Sequence, residues 1–167
     1  MALSDDLTRD IQTFISTPWD RRDGRRVPAT EDIALAGGAV EIEATFLYAD
    51  LADSSRMAKE LDRRIAAKII KSFLYCASKL IVARGGKIVS FDGDRVMGVF
   101  YGDAKNSSAA ECALQIKWAV DRIREKFESS YESVRNASFK IKHGVGVDTG
   151  TVLAVRGGVR GTNDLIW

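Results

Sequence analysis

The sequence predicts an α+β sandwich in which helices cover one face of a mostly antiparallel sheet. Three observations carry that expectation. The apolar pattern passes from a strand-like run at 39–49 through a helical stretch, two short strands and a second long helical stretch to a closing set of strands. The two short strands flank Asp92-Gly93, a strong hairpin signal, and hairpin strands pair antiparallel. A chain of 167 residues holds one domain with a substantial core.

Each element follows from its local pattern. Residues 4–16 carry Leu7, Ile11, Phe14 and Ile15 on one helical face, with Ser4 placed as the N-cap. Residues 18–38, rich in Pro, Gly, Arg and Asp, read as an irregular arm that packs on its own domain or reaches a partner subunit. The run 39–49 is apolar nearly throughout, as in a central strand buried on both faces. Met57, Leu61, Ile65, Ile69, Phe73 and Leu80 recur at threes and fours, predicting one helix that Gly85-Gly86 ends. Strands follow at 87–91 and 95–101, then a helix from Asn106 or Ser107 to about Glu128 and a polar loop at 129–136. Strands at 137–148 and 151–156 are separated by Asp148-Thr149-Gly150, and a last strand begins near Asp164.

Composition narrows the function. Hydrophobic residues make up 46% and charged residues 29%, ordinary values for a soluble globular protein. A net charge of +2 gives no support to a nucleic-acid binder. Cys76 and Cys112 lie in apolar helical patterns and read as small buried hydrophobes in a reducing compartment. Neither a membrane-spanning run nor a cleavable signal pattern is seen, so a cytoplasmic location is expected, with no membrane partner.

The chemistry centres on two aspartates. Asp50 closes the run Ala-Thr-Phe-Leu-Tyr-Ala-Asp, and Asp94 ends the turn Phe-Asp-Gly-Asp. Alone, each has an ordinary explanation: Asp50 as the cap of the next helix, Asp94 as a turn acid. A strand-helix-hairpin order, however, brings the end of the first strand beside the hairpin tip. Two carboxylates there repel until a cation sits between them, and hard divalent cations take carboxylate oxygens while keeping phosphates as further ligands. The turn Leu51-Ala52-Asp53-Ser54-Ser55 adds backbone N–H groups suited to phosphate, making Ser54 a candidate substrate-binding residue.

Phe46-Leu47-Tyr48-Ala49-Asp50-Leu51 resembles the first metal motif of class III nucleotidyl cyclases, and Gly85-Gly86 through Asp94 to Phe100 resembles their second. Gly146-Val147-Asp148-Thr149-Gly150 with Val152 is similar to a later strand pair of that family. The resemblance implies a ferredoxin-like palm over residues 39–167, preceded by a helix and arm over 1–38. It implies a homodimer with composite active sites, and two Mg²⁺ or Mn²⁺ ions held by Asp50, Asp94 and the Leu51 carbonyl. The Asn and Arg that stabilise the family's transition state have no match here. They are expected beyond Trp167, with the C-terminal part of the catalytic domain missing from this chain.

Two departures refine the expectation. Adenylate-forming members place a Lys in the second motif and guanylate-forming members a Glu; the matching position here is Ser90, and its partner position falls at or near Ile166. Ser and Ile cannot supply that purine hydrogen-bond pattern, which points away from ATP and GTP. Tyr48 either narrows the pocket toward a smaller ring or is a core aromatic. The arm around Trp19–Pro28, the Leu47–Ser54 string and the ending Gly161–Trp167 look like the pyrimidine cyclases of bacterial Pycsar anti-phage systems. The implied activity is conversion of UTP to 3′,5′-cyclic UMP and pyrophosphate as a defence signal. Alternatives in order are CTP to cyclic CMP, adenylate cyclase, and a non-catalytic nucleotide-binding module.

The remaining candidates read as structural. His143 suits a core or edge position, Gly157-Gly158 and Gly161 hairpin punctuation, Arg156 and Arg160 solvated turns, and Asp92 and Asp53 turn residues. Arg21, Arg22, Arg25 and Arg26 alternate with Asp20 and Asp23, as in a solvated arm or a dimer clasp.

Overall fold

The computed structural model describes residues 2–167 and divides into two compact units, one formed by the chain up to Glu43 with Thr151–Trp167, the other by Ala44–Gly150. The smaller unit begins with helix α1 (Leu3–Ser16) and strand β1 (Asp20–Asp23), followed by a 3-10 turn at Thr30–Asp32. Strand β2 (Gly38–Ala52) starts in this unit and continues into the larger one. The larger unit then adds α2 (Ser54–Glu60), α3 (Arg63–Ala83), β3 (Lys87–Asp92), β4 (Arg95–Phe100), α4 (Lys105–Ser130) and the single turn α5 (Glu132–Arg135). Strand β5 (Lys142–Val159) leads back to the smaller unit, which closes with β6 (Thr162–Ile166).

In the larger unit the strand order is β3-β4-β2-β5, and the β3–β4 and β4–β2 pairs are antiparallel. Leu47, Ala49 and Leu51 of β2 and Val96 and Phe100 of β4 share one core with Ala66, Ile69, Phe73, Ala77 and Ile81 of α3 and Ala109, Cys112, Ile116 and Val120 of α4. The α+β sandwich expected from the sequence is therefore present. Gly98 is a close-approach position: a Cβ there would stand 2.8 Å from the Ile81 side chain. Its absence lets α3 lie directly on β4. In the smaller unit β1 runs parallel to the start of β2, and β5 pairs antiparallel with β6. Ile33, Val40 and Ala154 form its core, with Leu165 and Trp167 against them.

Several local expectations change. Helix α1 is capped by Ala2 without a side-chain bond, so Ser4 is an interior residue whose carbonyl accepts from Thr8 Oγ1 at 2.8 Å. The arm is not wholly irregular, because residues 20–23 find a free strand edge. The predicted helix through 57–80 is two helices: Leu61 is extended, and Asp62 restarts the turn by accepting the Arg64 N–H at 2.8 Å. The polar stretch 129–136 contains α5. Asp148-Thr149-Gly150 does not break a strand; β5 runs through it. There Thr149 Oγ1 bonds Asn106 Oδ1 at 2.9 Å and lies 2.9 Å from Thr45 Oγ1, a fully buried hydroxyl. That closed polar group holds the strand straight where sequence pattern reads a turn. Cys112 is buried and its thiol is pushed up to about 11; partial burial raises Cys76 as well. No helix among the described residues is long and apolar enough to cross a membrane.

A clamp fixes α2. Arg56 Nε meets Glu60 Oε1 at 2.8 Å, Arg56 Nη2 donates to Ser138 Oγ at 2.7 Å, and the Ser138 N–H donates to Glu60 Oε2 at 3.0 Å. The Ser138 hydroxyl and then Arg56 hold the Glu60 carboxyl below its ordinary value of 4.5. A depressed folded-state value stabilises the fold above 4.5, and that contribution is lost as pH falls below it. Glu60→Gln is therefore expected to lower Tm at neutral pH and to change it little well below 4.5, which flattens the acid-side decline, as thermal scans across pH would show. Gly98→Ala is expected to cost about 2 kcal/mol, a Tm drop of about 6 °C by calorimetry, because Ile81 has nowhere to move.

Candidate functional site

The site is built by β-pairing. Leu47, Ala49 and Leu51 point into the core, so alternation turns Tyr48 and Asp50 to the opposite face of β2. The strand is buried on both faces at Ala39-Val40 and Ala44-Thr45, as expected, and its second face opens only toward its end, where Tyr48 is 46% exposed and Asp50 half-exposed. The ladder with β4 pairs Tyr48 with Met97 and Asp50 with Arg95. The next ladder pairs Met97 with Ser90 and Arg95 with Asp92, after a bulge between Ile88 and Ser90. Paired residues share a face. Two rows result, Asp50-Arg95-Asp92 at the hairpin end and Tyr48-Met97-Ser90 about 7 Å further in. Residues far apart in sequence thus reach one surface.

Asp50 lies within β2, two residues short of its end, and caps nothing; the α2 cap is Asp53, in the left-handed region at φ 58°. The hairpin turn is Gly93-Asp94, one residue later than the sequence suggests, since Asp92 still pairs with Arg95. Gly93 supplies the positive φ of 60° that the turn requires. One residue beyond the last ladder pair on each strand stand Leu51 and Asp94. The Leu51 side chain is in the core, so only its backbone carbonyl is left to serve the site.

The carboxylates differ in their surroundings. Asp50 Oδ2 meets Arg95 Nε at 3.2 Å in a half-exposed pair. Asp94 Oδ2 is shielded from solvent without a hydrogen-bond partner. A shielded carboxylate oxygen with no partner is destabilising unless a cation or donor joins it. Two carboxylates and a carbonyl are hard oxygen donors of the kind Mg²⁺ or Mn²⁺ takes. No three His, Cys, Asp or Glu gather into a metal cage among the described residues, so water and phosphate oxygens would complete the coordination. The donor set and the orphaned oxygen fit a divalent cation.

Helix α2 starts immediately after β2. Its first internal bonds run from the Arg56 and Met57 N–H groups to the Asp53 carbonyl, which places the Ser54 and Ser55 N–H groups ahead of them. Arg95 and Met97 were not singled out from the sequence. Their signal is the pairing register, readable only once the turn is set at Gly93-Asp94.

Ile166 belongs to the smaller unit. It pairs with Val155, and its side chain lies over Gly157, where a Cβ would stand 2.2 Å from Cδ1. Arg156 is not a solvated turn residue: its Nε donates to Asn163 Oδ1 at 2.7 Å and its Nη1 to the Ile33 carbonyl. The arm arginines are neutralised locally, Arg21 by Glu41 at 2.7 Å and Arg26 by Asp32 at 3.1 Å. His143 is half-buried in β5, and desolvation lowers its pKa.

No family model matches the chain. It is 58% identical to a uridylate cyclase of Rhodovulum sp. (strain MB263) over 167 residues, 99% of this chain and 70% of that protein. A uridylate cyclase of Xanthomonas perforans is 40% identical over 169 residues, covering all of this chain and 72% of its own length. In fold, the chain resembles a class III adenylyl cyclase-like ATP-binding protein from Pseudomonas aeruginosa, with a TM-score of 0.72 over 97% of this chain and 36% of that one at 15% identity. It also resembles an adenylyl cyclase from P. aeruginosa, with a TM-score of 0.67 over 77% of this chain and 66% of that one at 18% identity.

Because Asp94 Oδ2 lacks a partner, Asp94→Asn is expected to raise the stability of the metal-free protein by about 1 kcal/mol. The same substitution should abolish any rise of Tm on adding Mn²⁺. A clear loss of metal-free stability in differential scanning calorimetry would show that the carboxylate is satisfied in some other way.

Proposed function

The chain belongs to the uridylate cyclase family, and from that premise we propose that it is a nucleotidyl cyclase converting UTP to 3′,5′-cyclic UMP and pyrophosphate. The observation that carries the reading is the carboxylate pair of one hairpin end: Asp50 on β2, and Asp94 with its partnerless shielded oxygen in the adjoining turn. Asp50, Asp94 and the Leu51 carbonyl are the groups that would hold two Mg²⁺ or Mn²⁺ ions. Bound there, the ions would acidify the ribose 3′-hydroxyl and neutralise charge on the departing pyrophosphate. The 3′-oxygen forms a bond to the α-phosphorus, the bond from that phosphorus to the bridging oxygen breaks to release pyrophosphate, and the hydroxyl proton passes to solvent water.

The protein's own groups position the substrate. Ser54, at the start of α2, is the phosphate-side contact, where backbone N–H groups precede the first helical bonds. Tyr48 and Ser90 flank Met97 and form the floor for the base, and neither offers the Lys or Glu that reads a purine edge. Ile166 matches the family's second base-reading position by sequence resemblance alone. A second copy completes the active site, so the working form is a homodimer with composite sites. Residues 39–167 are the cyclase domain, with 1–38 as an appended helix and arm. The cyclic nucleotide acts as a cytoplasmic signal in anti-phage defence.

CTP is the second reading, favoured by Ser90 itself. A hydroxyl both donates and accepts, so it accommodates the O4 of uracil or the amino group of cytosine.

The test is to incubate the natural full-length polypeptide with each of the four ribonucleoside triphosphates and Mn²⁺ and identify products by mass. Cyclic UMP is expected to dominate, with cyclic CMP second; cyclic AMP as the main product, or none from any triphosphate, would overturn the reading. Asp50→Ala is expected to lower turnover by at least about a hundredfold.

A further inference from the structure

Among the described residues, helix α1 leaves most of its apolar side uncovered; only Phe14 shares a small cavity, with Trp19 and Leu35. Leu3, Leu7, Ile11, Phe14 and Ile15 fall along one face at helical spacing, each more than half exposed, and no residue of the helix is buried. A 14-residue helix is marginal in water unless such a face is covered. In the larger unit, Ile70, Leu74 and Tyr75 of α3 and Phe91 of β3 line an open groove of about 500 Å³. Tyr75 and Phe91 are 62% and 57% exposed there.

The two surfaces match in charge and length. Helix α3 carries Arg63, Arg64, Lys68, Lys71 and Lys79 and no acid, and Lys71 lines the groove. Helix α1 carries Asp5, Asp6 and Asp10 against Arg9 alone. At 100° per residue, Asp6 and Asp10 border its apolar stripe. Fourteen residues rise about 21 Å, and the groove follows α3 from Ala67 to Ser78, about 17 Å. A membrane surface fits α1 poorly, since interfacial helices are rich in Lys and Arg on the polar face. Two α1 helices face to face would bring Asp6 and Asp10 against their own kind.

We propose that α1 of one copy seats in the α3–β3 groove of a second copy, with its acidic border against Lys71. This rests on the dimeric reading above, but it assigns a contact outside the residues of the candidate active site.

Disulfide trapping tests it. One tagged full-length chain carries Ile11→Cys and a second, differently tagged, carries Tyr75→Cys, both in a Cys76→Ala background. Mild oxidation of the mixture is expected to give a covalent pair containing both tags. Lys71→Glu should lower its yield about threefold, and Asp10→Lys on the other chain should restore it. Asp50→Ala should leave the yield unchanged; chains that keep Asp50 and cross-link without making cyclic nucleotide would sink the activity and keep the docking. No mixed pair from an active enzyme would overturn the docking. So would a dominant pair joined through Ile11→Cys on both chains, or a doubly substituted chain that closes on itself at high dilution.

Discussion

The register between β2 and β4 is the constraint on which the rest depends. Side chains alternate along a strand, so moving β2 by one residue would turn Leu47, Ala49 and Leu51 out of the core and Asp50 into it. Losing three buried apolar side chains and shielding a carboxylate are each costly, and together they leave one pairing. That pairing sets Asp50 opposite Arg95 and leaves Leu51 and Asp94 each one residue past the last rung. The hydrophobic core on one face of the sheet therefore fixes the chemistry on the other.

The same arrangement holds unspent electrostatic free energy. Asp50 has a counter-charge in Arg95, whereas one oxygen of Asp94 is shielded from water with nothing to replace it. Asp53 adds a left-handed backbone at the start of α2. Deviations of this kind concentrate where a ligand is to be bound, because a pre-arranged site need not reorganise when the ligand arrives. The fold tolerates them through the clamp of Arg56, Glu60 and Ser138 on α2 and the Thr45-Asn106-Thr149 group at the start of α4.

Much of this was legible in the sequence. Apolar periodicity located α3, α4 and the β3–β4 hairpin, since each buries one face and repeats with its own period. The two aspartates were legible because acids at the edge of apolar runs need a reason to be there. Other features were hidden for specific causes. Asp148-Thr149-Gly150 has turn composition, yet side-chain bonds to Asn106 and Thr45 keep it extended. Leu61 continues an apolar helical pattern, yet Asp62 begins a new helix. Arg95 and Met97 join the site only through pairing, which no local window contains.

The sequence by itself determined the class of elements, the hairpin and the acidic pair, because these follow from local periodicity, turn chemistry and the cost of burying charge. Tertiary structure alone decided which face each residue takes and which residues share a row. Strand register is set by the summed burial of many side chains across separate strands. That is why Ser90 and Tyr48 meet across Met97, and why one oxygen of Asp94 is left without a partner.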